Sequence, residues 1–189
     1  MAALTLNIDE IKTANQRFER ALTRAWLEGA LGGEPPTGFA ARGAAELVLT
    51  ATRLETDVVL RGAFDVALSA PCRRCLKDVA VNAPVRFDLH FKPGKKAEST
   101  GSSEDDGESD QSAGFALGAA DEETYDGKTI QLESAIREQL LLGLPGSPLC
   151  MEDCRGLCAV CGEDRNTVDC GHDQRPPDPR WAALKDLKL

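Results

Sequence analysis

The sequence predicts an α+β protein in which an antiparallel β-sheet core is flanked by helices, followed by a Cys-rich C-terminal segment and interrupted by a disordered acidic insert. Three observations carry this. Segments rich in Val, Leu and Phe alternate with period two from Ala44 to Phe91. Apolar residues at helical spacing lie on either side of that region. Five of the seven cysteines crowd into "CMEDCRGLCAVCGEDRNTVDCGH", Cys150 to His172. With 189 residues the chain can bury one proper core and needs no disulfides to fold. The organisation read from it is an N-terminal helical segment over residues 1–43 and a main domain over 44–189. The acidic insert (94–124) and the Cys-rich segment (150–172) lie within that domain.

Residues 14–31 place Phe18, Leu22, Ala25, Trp26 and Gly29 at helical spacing, as one helix or two shorter pieces, and the run stops at "GGEPP". The strands follow: "AELVLTA", "DVVLRG", "AFDVALSA" and "VAVNAPVRFDLHF". The last sets Val85, Phe87, Leu89 and Phe91 on one face and Arg86, Asp88, His90 and Lys92 on the other, the mark of a half-buried sheet. His90 reads there as a solvated histidine. After Tyr125, "TIQLESAIREQLLLGLP" spaces Leu132, Ile136 and Leu140 on one helix face, with Thr129 as N-cap and Gly143 and Pro145 as the stop. A last helix is expected after Pro176 and Pro177, with Asp178 as cap and Trp181, Leu184 and Leu187 along one side.

The formal net charge of −9 is concentrated in one place. Ala97 to Gly127 carries ten acids and no Lys or Arg, and removing them leaves a remainder of about +1. That insert of Ser, Gly, Asp and Glu buries too little apolar surface to offset its ordering entropy, so a solvated linker is the expectation, ahead of an acidic lure for a basic partner. The N-terminus lacks a basic, apolar leader pattern, and the longest apolar run falls short of the roughly 20 residues of a membrane span. A soluble cytoplasmic protein is expected, with no membrane association.

In a reducing compartment a cysteine cluster points to metal or catalysis before cystine, and the odd count fits a paired framework badly. Two C-x-x-C turns are present, Cys72/Cys75 in "PCRRCL" and Cys158/Cys161 in "LCAVCG", where Gly162 lets the backbone curl. Each offers two thiolates at the separation a tetrahedral zinc site needs. Seven cysteines plus His172 make eight donors, or two complete sets. The favoured grouping closes Cys158, Cys161, Cys170 and His172 locally and joins Cys72 and Cys75 to Cys150 and Cys154. Pairing Cys72/Cys75 with Cys158/Cys161, or a single site with spare thiols, is the alternative. One or two zinc ions are therefore expected, with an iron–sulfur cluster also open for four cysteines. A thioredoxin-like redox pair would need C-x-x-C at a helix start in a βαβ unit, whereas "PCRRCL" lies between strands. A catalytic zinc would keep an open position. No nucleotide-binding glycine loop, GxSxG or HExxH occurs, and two histidines leave little for acid/base work. Arg73 and Arg74 inside the first knuckle, and Arg155 and Arg165 beside the second, are positions from which phosphates can be met.

Taken together, "PCRRCL", the acidic spacer, "YDGKTIQLESAIREQLLLGLPGSPLCMEDCRGLCAVCG", Asn166, the Cys170-Gly-His172 end and "DPRWAALKDL" resemble the YceD family (DUF177) from about Ala44 to Leu189. The resemblance implies a non-enzymatic factor for accumulation of 23S ribosomal RNA and large-subunit biogenesis, with that RNA or a large-subunit ribosomal protein as partner and no DNA. The chain departs from the pattern at "CGEDRN", where many relatives read "CGxNLN", and at His172, where they often close with C-x-C. A Cys-to-His exchange preserves zinc ligation. Other readings are a zinc-ribbon module for protein–protein contact and a thiol redox switch.

Overall fold

A computed structural model describes residues 4–33, 36–94 and 122–172. The C-terminal helix expected after Pro177 and nearly all of the acidic insert lie outside them. The chain divides into two compact units, Met1–Leu68 with Asn82–Pro145, and Ser69–Val81 with Gly146–Leu189.

The strands are β1 (Thr5–Asn7), β2 (Gln16–Leu22), β3 (Ala40–Ala41), β4 (Ala45–Leu54), β5 (Asp57–Pro71), β6 (Asp78–Pro93), β7 (Glu122–Tyr125) and β8 (Thr129–Gln131). The helices are α1 (Arg24–Leu31) and α2 (Glu133–Leu142), and a 3-10 turn covers Ile8–Glu10. In the first unit the order β2-β4-β5-β6-β7 forms the main sheet, with β3 paired to β5, while β1 and β8 make a separate two-stranded ribbon.

The period-two reading of β4 to β6 holds. Leu47, Leu49 and Ala51, then Val58, Leu60, Phe64, Val66 and Leu68, then Val85, Phe87 and Phe91 are buried on alternate positions. β4 turns into β5 through Glu55 and Thr56, with Leu54 opposite Asp57. Two segments expected as separate strands, "DVVLRG" and "AFDVALSA", are one continuous strand, β5. His90 is not simply solvated: it is half-buried, and its Nε2 lies 3.0 Å from Asp57 Oδ2.

Three local expectations are corrected. Residues 1–43 are not a helical segment, because Gln16–Leu22 is a strand paired antiparallel to β4 and helix begins only at Arg24, capped by Thr23. The helical spacing of Phe18 and Leu22 is overridden by β pairing, which alternates Phe18 and Arg20 with exposed Arg17, Glu19 and Ala21. Thr129 does not cap α2: it lies in β8 opposite Asn7, and α2 starts after Leu132 without a side-chain cap. The sheet is not wholly antiparallel either, since β7 runs parallel to β6 in the register His90↔Glu122 to Pro93↔Tyr125. Gly143 does end α2, its N–H donating to Gln139 O at 3.0 Å.

The second unit contains the end of β5, the start of β6, the loop between them and the chain from Gly146 onward. Its buried cluster is Cys72, Cys75 and Cys154, with Val79, Leu149 and Cys150 packed against it. Among its described residues there is no Phe, Tyr or Trp, so the thiols stand where a small domain would have its apolar core.

Candidate metal centre

Two turns in the second unit have the same backbone construction. In the first, Cys72 N–H donates to Lys77 O (2.8 Å), Leu76 N–H to Cys72 O (3.0 Å), and Arg74 N–H to Cys72 Sγ (3.4 Å). In the second, Cys158 N–H donates to Glu163 O (2.8 Å), Gly162 N–H to Cys158 O (2.9 Å), and Val160 N–H to Cys158 Sγ (3.4 Å). The residue after the second cysteine is left-handed in both, Leu76 at φ 62° and Gly162 at φ 78°. Sequence reasoning found Gly162 at this point. It did not foresee a leucine in the matching position, where a side chain costs about 1 kcal/mol or more.

These turns bring eight donor atoms into two groups, Cys72/Cys75/Cys150/Cys154 and Cys158/Cys161/Cys170/His172, each with its donor atoms within 4.8 Å of one another. This is the grouping favoured by the donor count; Cys72/Cys75 do not share a site with Cys158/Cys161. All seven cysteines are free thiols. In the first group Cys72 and Cys154 sulfurs are 3.8 Å apart and those of Cys75 and Cys150 3.5 Å. A disulfide needs about 2.05 Å. A tetrahedron of thiolates about 2.3 Å from a central ion has edges of about 3.8 Å, so the sulfur spacing fits a four-coordinate metal. The first group is mostly buried, with Cys72 at 0% exposure, while in the second Cys161 and His172 are exposed. Thiolate and imidazole donors without a carboxylate suit zinc, or iron–sulfur chemistry for the four-cysteine set.

Electrostatics prepares one thiolate in each turn. The Cys75 N–H, with those of Arg74 and Cys150, lowers Cys72 from the ordinary 9.0 to about 6 against the effect of burial. The N–H groups of Cys161 and Val160 do the same for Cys158, also to about 6. Cys150 moves the other way, to about 12, because of its hydrogen bonds with Cys154 and Cys75 and its burial. Burial also opposes ionisation of Cys154, but the Asn166 amide and the Gly156 N–H outweigh it and lower its pKa. Since the fold depresses Cys72 and Cys158, the stability they contribute is complete above 9.0 and is lost as the pH falls through about 6. Metal-free protein is therefore expected to show thiolate ultraviolet absorbance at neutral pH that disappears below about pH 6, and chelators should strip loaded protein faster on the acid side. A thiolate signal rising only near pH 9 would contradict this arrangement.

Side chains around the donors are engaged in holding the loops. Arg74 Nη1 donates to the carbonyls of Cys154 (2.8 Å) and Glu152 (3.2 Å), and Arg73 Nη2 to Gly146 O (3.2 Å). The knuckle arginines read from the sequence as phosphate contacts thus have carbonyl partners inside their own unit. Gly156 packs on Arg74: a Cβ there would come within 2.9 Å of Arg74 O, at φ +74°. Sequence reasoning gave Asn166 no role beyond motif membership and overlooked Lys77, yet Asn166 Nδ2 donates to Cys154 Sγ at 3.4 Å, and Lys77 Nζ lies 2.5 Å from Asp164 Oδ2.

A predominantly antiparallel sheet protein with a distinct cysteine-knuckle unit holding two four-donor clusters is the class these features define. The family model described as "Large ribosomal RNA subunit accumulation protein YceD" matches residues 60–188, both clusters included, and the chain belongs to that family. An uncharacterized protein of Mycobacterium leprae is 32% identical over 141 residues, covering 75% of this chain and 58% of the relative. Uncharacterized proteins of Mycobacterium bovis and Mycobacterium tuberculosis are each 30% identical over 142 residues, covering 75% of this chain and 61% of theirs. The chain thus spans about three fifths of the length of these relatives. No solved structure matches. Among the described residues no helix is long and apolar enough to cross a membrane.

Proposed function

We propose that the chain is a non-enzymatic, cytoplasmic factor for accumulation of 23S ribosomal RNA during large-subunit biogenesis. It carries two structural zinc ions and works through contact with that RNA or a large-subunit ribosomal protein, and neither DNA nor a membrane is part of the reading. The observation that carries it is the family match over residues 60–188. Cys72, Cys75, Cys150 and Cys154 would hold one ion, and Cys158, Cys161, Cys170 and His172 the other. The ions supply cross-links for a unit with little apolar core and, with four protein donors each, no vacant position for activating water, which supports a structural over a catalytic role.

Depleting the protein is expected to lower 23S relative to 16S ribosomal RNA, with recovery on re-expression of the intact chain. Unchanged 23S levels in the depleted cells would overturn the assignment. Elemental analysis of protein purified without chelator is expected to give two zinc ions per chain.

A further inference from the structure

The loop between Cys161 and Cys170 belongs by its ends to the second cluster, yet one of its side chains reaches a donor of the first. Asn166 donates from Nδ2 to Cys154 Sγ (3.4 Å) and accepts at Oδ1 from the N–H of Arg155 (2.8 Å). It is held in place by Asp164, whose Oδ1 receives both the Asn166 N–H (2.9 Å) and its side-chain amide (2.6 Å). Asp164 is itself tethered to Lys77, the last residue of the first knuckle. Two further backbone bonds run through the linker between the clusters: Arg165 N–H to Gly156 O (2.9 Å) ties the loop to it, and Leu157 N–H to Arg74 O (3.1 Å) ties it to the first knuckle. Only Arg155, Gly156 and Leu157 separate Cys154 of one cluster from Cys158 of the other.

We infer that Asn166 couples the two clusters, so that an ion held by Cys158, Cys161, Cys170 and His172 tightens the hold of Cys72, Cys75, Cys150 and Cys154 on theirs. The physical step is ordering. A metal in the second cluster fixes both ends of the loop that carries Asn166, and the Asn166 amide then stabilises the Cys154 thiolate. Partners of this kind around a ligand set commonly change metal affinity about 10- to 100-fold. Linkage makes the effect reciprocal: filling the first cluster must favour filling the second by the same factor. The asymmetry of exposure sets the direction tested, since Cys161 and His172 of the second cluster are exposed while the first cluster is mostly buried. Asn166 is a positioning residue here and touches no metal itself.

This rests on the two-metal reading above, and the test separates them. Cobalt(II) is titrated into metal-free full-length protein against a competing chelator; both clusters contain thiolates, so the visible d–d band of four-thiolate cobalt, displaced from that of a three-thiolate, one-imidazole site, gives the affinity of the four-cysteine cluster. Four chains are compared: the natural sequence, His172→Ala, Asn166→Ala and the double variant. His172→Ala weakens only the second cluster directly, and Asn166→Ala keeps all eight donors, so two ions bound by it report that it folds. His172→Ala is expected to lower affinity at the first cluster about 10-fold, Asn166→Ala by a similar factor, and the double variant by no more than either alone. Equal first-cluster affinity in the natural chain and His172→Ala, or losses that multiply in the double variant, would overturn the coupling. In either case two bound ions in the natural chain would leave the metal reading standing, whereas no bound ion would remove that reading first.

Discussion

A Cys72→Ser chain is expected to lose ordered structure throughout residues 69–81 and 146–172. Cys72 is fully buried and is one of three cysteines that form the buried centre of its unit. Its thiolate also receives the Arg74 N–H that shapes the turn. Apparent zinc binding in small structural sites amounts to about 10–16 kcal/mol near neutral pH. That is as large as the whole stability of a typical domain, about 5–15 kcal/mol. With no Phe, Tyr or Trp among the described residues of this unit, apolar burial does not replace it. Chelation of the natural chain is expected to have the same outcome as the substitution. Limited proteolysis should then cut between Gly146 and His172, while the sheet, whose buried Leu, Val and Phe residues form a core without cysteine, keeps a cooperative melting transition. Unchanged metal content and an unchanged melting profile in both Cys72→Ser and Cys161→Ser chains would refute a structural role for the clusters.

The sheet unit carries its own sensitive point. Gly62, on β5, lies under the Phe87 ring of β6: a Cβ at position 62 would sit 2.0 to 2.5 Å from three ring carbons. The ring is also fixed from the side by Phe64, edge to face at a centroid distance of 6.3 Å. Moving Phe87 therefore disturbs a second buried aromatic. Gly62→Ala is expected to destabilise by about 3 kcal/mol, the upper part of the range for overpacked cores. In a Phe87→Leu background the same substitution should cost much less, because the obstructing ring is gone. Denaturant melts of the four chains measure this, and an equal penalty in both backgrounds would show that the ring is not the cause.

The parts of this architecture that could be read from the chain are those whose signal is local. Alternation marked β4 to β6 because each strand buries one face and exposes the other. The two donor clusters were visible because C-x-x-C spacing dictates a turn and eight donors divide evenly into two sets of four. What escaped depends on distant partners. The stretch from Gln16 to Leu22 has helical spacing and helix-forming residues, and becomes a strand only because the edge of β4 is there to pair with it. Thr129 resembles a helix cap until Asn7, far back in the chain, pairs with it. The parallel pairing of β7 with β6 likewise follows from no residue in either strand. Asn166 is the same case within the site: its place beside Cys170 and His172 in the sequence says nothing of a bond to Cys154.

The duplicate turns at Cys72–Lys77 and Cys158–Glu163 are written almost entirely in main-chain hydrogen bonds and one left-handed residue, so their two middle positions are unconstrained by the geometry that sets the sulfurs. The chain has used that freedom twice and differently. In one copy the middle residues are Arg73 and Arg74, whose guanidinium groups fasten neighbouring carbonyls. In the other they are Ala159 and Val160, both turned to solvent, Val160 at 66% exposure. That second pair is an exposed address where a spectroscopic label or a cross-linker can be installed a few ångströms from a thiolate cluster without rewriting the turn that builds it.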